Sequence, residues 1–94
     1  MSGIRYLRGS RVDASPVGDR VALYHRDTGT ALVLNATGTW LWGQMDGPIS
    51  IDSLAERLRD RYPVIDPEQA RHDASAFIAE LVAHRAADAE GEGS

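Results

Sequence analysis

The stretch Val21-Ala22-Leu23-Tyr24-His25-Arg26-Asp27-Thr28-Gly29-Thr30-Ala31-Leu32-Val33-Leu34-Asn35 decides the fold. Residues 21–25 and 31–34 are short runs rich in aliphatic and β-branched side chains, the composition of strands. Between them, Asp27 and Gly29 supply the backbone freedom that a tight reversal needs. The segment therefore reads as an antiparallel hairpin, with strands near 20–26 and 30–34. At Asn35 the pattern turns helical. Asn is a strong N-cap because its side-chain oxygen accepts a hydrogen bond from an otherwise unpaired first-turn amide. A helix is predicted over 36–45, stopped by Asp46-Gly47-Pro48.

Upstream, Tyr6-Leu7-Arg8 to Val12 reads as a weaker first strand over 5–13, ended by the turn formers Ser15-Pro16-Val17-Gly18-Asp19. Downstream, Ser50 opens a helix over 51–61 with Ile51, Leu54, Ala55 and Leu58 on one stripe, and Tyr62-Pro63 ends it. A third helix, 67–87, has Asp66 as cap, Pro67 at its first position and Gln69 placed for a capping box. Its apolar stripe is Ala70, Ala74, Phe77, Ile78, Leu81 and Val82. The sum is an α+β, winged-helix-like domain over 1–87: a three-stranded antiparallel β-meander followed by three α-helices. The acidic, Gly-rich residues 88–94 have nothing to bury and are expected to be a disordered tail.

Ninety-four residues hold one modest core and no cleft between lobes. With 43% hydrophobic and 26% charged residues, the chain is outside the disordered regime. The absence of cysteine excludes disulfides, thiolate metal sites and a cysteine nucleophile. No apolar window is long enough for a membrane span, and the N-terminus lacks a signal-peptide core, so no membrane partner and a cytoplasmic location are expected. The net charge of −4 is uneven: residues 1–34 carry five Arg against three Asp, and residues 35–94 carry five Arg against eleven acids.

No catalytic constellation emerges. His72 and His84 stand twelve residues apart on one helix, about 18 Å, too far to share a metal. None of the nucleotide, zinc-protease or nucleophile-elbow motifs is present. A non-enzyme with no metal and no cofactor is expected. A winged-helix DNA-binding regulator is the structural alternative, but the would-be recognition helix, Asp66 to Ser75, carries three acids and one Arg, the wrong sign for phosphates. A structural subunit of a larger enzyme is the other alternative. Asn35-Ala36-Thr37 matches a glycosylation triplet, though capping accounts for Asn35 better. Trp40 and Trp42 face different ways on their helix, so at most one is fully in the core.

The series Val33-Leu34-Asn35-Ala36-Thr37-Gly38-Thr39-Trp40-Leu41-Trp42, Met45-Asp46-Gly47, Leu54, Leu58, Tyr62 and Asp73-Ala74-Ser75-Ala76-Phe77-Ile78-Ala79-Glu80-Leu81 resembles the PqqD family over about residues 5–86. One departure stands at His84-Arg85-Ala86-Ala87, where the family commonly has a Gly followed by aliphatic residues. The resemblance implies a non-catalytic peptide chaperone. Such a domain binds the leader segment of a ribosomally made precursor peptide and presents it to a modifying enzyme: a radical S-adenosylmethionine enzyme, a leader peptidase or a cyclase. The pathway would be that of pyrroloquinoline quinone, a lasso peptide or a related natural product. PqqD-like proteins can dimerise, and an open sheet edge with a half-exposed Trp invites self-association.

On this reading the leader adds as a strand beside Thr30, Ala31, Leu32, Val33 and Leu34, facing the last helix across a groove. Ala74 and Ile78 are expected to surface the pocket, Phe77 and Leu81 to floor it, and Arg71 and Asp73 to form its polar rim. Ala74→Trp is then expected to block binding and leave the fold intact.

Overall fold

The computed structural model describes residues 4–90. In chain order the elements are β1 (Arg5–Arg8), β2 (Val12–Val17), β3 (Arg20–His25), β4 (Ala31–Val33), α1 (Ala36–Gly43), α2 (Ile51–Arg61), α3 (Pro67–Ala83) and β5 (Ala87–Glu90). β2, β3 and β4 form the expected antiparallel meander, and the three helices follow it, giving an α+β fold. β3 and β4 pair with Leu23 opposite Leu32 and Ala22 opposite Val33.

Local signals explain most boundaries. The Asn35 side chain accepts from the Gly38 amide at 2.7 Å, and Ser50 caps α2 through the Ser53 amide at 3.1 Å. Asp66 occupies the cap position of α3 but makes no side-chain cap bond, and Gln69 reaches forward to Asp73 instead of closing a capping box. Pro67 at the first position, where no amide is missed, suffices for the start.

Helices pack on the face of the sheet that carries Leu23 and Leu34. These two join Leu41, Trp42, Met45, Leu54, Leu58, Phe77, Ile78 and Leu81 in one core. Trp42 is buried and Trp40 half-buried, edge-on to Tyr62 at 6.5 Å. Ala70 and Ala74 are fully buried in the core, and α2 and α3 pack against each other.

The chain ends differ from the sequence expectation. The strand expected over 5–13 is two strands with different partners. β1 pairs with β5 and bridges Ile49, whereas β2 pairs with β3. Residues 15–17 belong to β2, and the reversal is made by Gly18 and Asp19, Gly18 having φ +66°. Residues 88–90, expected in the disordered tail, lie in β5, with Arg5 and Glu90 ion-paired at 3.0 Å; residues 91–94 of that tail lie outside the described residues.

α1 stops at Gly43 and α3 at Ala83, short of the expected Met45 and Ala87. After α3 the Arg85 amide donates to the Val82 carbonyl at 3.0 Å and the Ala86 amide to that of Leu81 at 2.7 Å, a Schellman closure. That closure requires a left-handed residue, and Arg85 takes it with φ 59°. The departure noted at Arg85 is thus a non-glycine residue in a glycine position. Arg85→Gly is expected to stabilise the domain by about 0.5–1 kcal/mol, because a Cβ in the left-handed region is disfavoured. A higher denaturant midpoint at unchanged m-value is the expected reading; an unchanged or lower midpoint would contradict it.

Candidate functional site

The three-stranded sheet has two outer edges, and they are not equivalent. In an antiparallel ladder, successive residues direct their amide and carbonyl to alternate sides. The His25 amide donates to the Thr30 carbonyl, and the Leu34 amide to that of Val21, both at 2.9 Å. Thr30, Leu32 and Leu34 therefore turn toward β3, and the amides and carbonyls of Ala31 and Val33 point to the open side. On β2 the Arg26 amide donates to the Arg11 carbonyl, so the even-numbered residues face out, among them Pro16, which has no amide to offer. Proline at that position blunts the β2 edge, whereas the β4 edge keeps its donors.

β4 is also the edge with a wall beside it. A groove of about 380 Å³ runs between its end and α3. Leu34, Leu41 and Phe77, all buried, lie at its bottom. Val33, Asn35 and Thr37 line one side, and His72, Asp73, Ala76 and Glu80 the other. Gly38 lets α1 come close to this floor: a Cβ there would meet Asn35 Oδ1 at 3.2 Å and the Phe77 ring at 3.5 Å. A separate, much smaller pocket is lined by His25, Thr30, Ala31, Leu32 and His84 among others. Val33 shares the groove with residues 72–80 of α3, and Thr30 shares the smaller pocket with His84, just past the end of that helix.

The loop that delivers the chain into β4 is held from two sides. The buried His25 accepts the Asp27 and Thr28 amides on Nδ1 at 3.2 and 3.3 Å. Arg11 grips Asp27 with two bonds, Nε to Oδ2 at 3.0 Å and Nη2 to Oδ1 at 2.6 Å. This fork holds the Asp27 carboxyl below its ordinary pKa, chiefly through the hydrogen bond from Arg11.

Of the residues singled out from the sequence, Val33, Leu34, Asp73 and Phe77 line the groove, and Thr30, Ala31 and Leu32 line the separate smaller pocket. Ala74, Ile78 and Leu81 do not: they are at most 2% exposed, facing the core and not a pocket. Arg71 is not on the rim either; it pairs with Asp52 of α2 at 2.8 Å. His72, Ala76 and Glu80 were missed. They sit at i, i+4 and i+8 beside the core stripe, a spacing visible in the sequence but carried by residues with no hydrophobic signal. Among the described residues no three metal-ligating side chains cluster, and no helix is long and apolar enough to cross a membrane.

Fold and site together define a small α+β domain that offers a free strand edge beside a helix-walled groove. The family model described as "Coenzyme PQQ synthesis protein D (PqqD)" matches residues 20–86, and the chain belongs to this family. No curated protein matches it in sequence. Two solved structures share its fold. "TbiB1 in Complex with the TbiA(beta) Leader Peptide" has a TM-score of 0.77 at 22% identity, over 92% of this chain and 96% of that one. "Lasso peptide synthetase B1 complexed with the leader peptide" has a TM-score of 0.76 at 19% identity, over 88% and 96%.

Proposed function

We propose that this chain binds the leader segment of a ribosomally made precursor peptide by strand addition to β4 and presents it to a modifying enzyme, without catalysing a reaction itself. The observation that carries this reading is the pair of outward-facing residues Ala31 and Val33 beside the groove. Their backbone groups supply affinity and direction, and the groove supplies side-chain selection. Membership of the PqqD family and the leader-bound state of two proteins with this fold support it. The recipient enzyme is of the radical S-adenosylmethionine, peptidase or cyclase class, the setting is the cytoplasm, and the half-exposed Trp40 is a candidate contact for that enzyme or a second copy of the chain.

The test is an amide chemical-shift titration with synthetic leaders of candidate precursor peptides encoded in the same genome. Shifts are expected at residues 30–34 and 72–80, with residues 12–17 unmoved. Perturbation confined to α2, or none at all, would overturn the proposal.

A further inference from the structure

We propose that the groove selects a leader carrying one arginine or lysine on the side chain that enters opposite Leu34, on the helix-facing side of the sheet, an inference that rests on the strand-addition reading above. The floor is apolar, built from Leu34, Leu41 and Phe77, and the α3 wall above it carries the carboxylates of Asp73 and Glu80 with His72. Among the described residues no arginine lines the groove. The ion pairs of the described residues, Arg5–Glu90, Arg11–Asp27, Arg26–Asp13 and Arg71–Asp52, all lie elsewhere. Arg71, two positions before Asp73, pairs at the surface with Asp52 of α2 at 2.8 Å and does not line the groove.

Asp73 accepts one neutral hydrogen bond, from Gln69 Nε2 to Oδ1 at 2.8 Å. Its other oxygen has no protein partner among the described residues. The opposite rim, Asn35 and Thr37, is uncharged, and Asn35 Oδ1 is already taken by the Gly38 amide.

An apolar floor below an acidic wall matches a side chain with a hydrocarbon stem and a cationic head. Arginine and lysine lay their methylenes on apolar surface and keep the charge at the rim. Asp73 and Glu80 are seven residues apart on α3, about 10 Å along its axis. One extended cationic side chain seated between them is within reach of either carboxylate. An acidic leader side chain at the same place meets two like charges, so the wall discriminates by repulsion as well as attraction.

The test uses a fluorescein-labelled synthetic leader of a candidate precursor peptide from the same genome, with each Arg and Lys replaced in turn by norleucine, which keeps the stem and removes the charge. One replacement is expected to weaken binding to the unaltered protein about tenfold, and more at low salt than at high. The Asp73→Asn/Glu80→Gln double variant, whose fold is checked by circular dichroism, is expected to bind the parent and the replaced leader within about twofold of each other. The proposal is overturned if the leader binds but no replacement matters, if the effect persists in the double variant, or if the bound segment has no Arg or Lys. If the leader does not bind at all, the strand-addition reading itself fails and takes this proposal with it.

Discussion

Val33→Pro is expected to weaken leader binding about 10- to 100-fold while the domain stays folded. The Val33 amide points to the open side of β4, so proline there removes a donor that only an added strand uses. The carbonyl of the leader that would accept from it is left without a partner, and the ring obstructs close approach. Proline is tolerated on edge strands where the missing amide faces outward. Leu32→Pro is the control: the Leu32 amide faces β3, so the same change one residue earlier is expected to lower the melting temperature. Val33→Ala keeps the amide and is expected to weaken binding less. Calorimetric titration and thermal unfolding of the three variants separate the effects, and full affinity in Val33→Pro would rule out β4 as the docking edge.

The second large effect separates two alanines on α3. Ala74 is 0% exposed in the hydrophobic core, and a tryptophan there has no space to enter. Overpacking on that scale is expected to cost about 3 kcal/mol or more, a large share of the roughly 5–15 kcal/mol that hold a domain together, so Ala74→Trp leaves a substantial unfolded fraction. Ala76 is exposed on the groove wall, and Ala76→Trp fills the groove from the solvent side. That variant is expected to melt within a few degrees of the unaltered protein, the penalty being about 0.7 kcal/mol of helix propensity at most, and to lose leader binding about 30-fold or more. Circular dichroism melts and fluorescence titration give both readings. Normal leader affinity in Ala76→Trp would mean that the peptide does not pass through the groove.

These two alanines also show where the sequence was legible. The hairpin, the Asn35 cap and the starts of all three helices are written in neighbouring residues: turn formers, cap residues and helical spacing. β5 is not, because Ala87-Asp88-Ala89-Glu90 has no strand signal of its own and exists through pairing with β1, Arg5 facing Glu90 from the other end of the chain. The groove on α3 was legible in part. Periodicity finds the buried stripe, and Phe77 belongs both to that stripe and to the groove floor. The groove wall lies one step round the helix, and an accessible wall need not be hydrophobic, so His72, Ala76 and Glu80 read as ordinary surface. Arg71 and Asp73, two positions apart, diverge on a helix: one reaches α2 and the other the groove.

The brevity of β4 bears on how the protein avoids sticking to itself. A three-residue edge presents two outward amides and two outward carbonyls, those of Ala31 and Val33. At about 0.5–1.5 kcal/mol net for each hydrogen bond, such a ladder yields a few kcal/mol, which the roughly 4–15 kcal/mol lost on association consumes. An arbitrary extended chain, a nascent polypeptide or the edge of a neighbouring copy therefore gains too little from the backbone to remain attached. The opposite edge is closed to such pairing at Pro16. An edge this short is in this way kept from seeding aggregates, and if it takes a leader by strand addition, a scrambled leader with the same strand propensity is expected to stay unbound for the same reason.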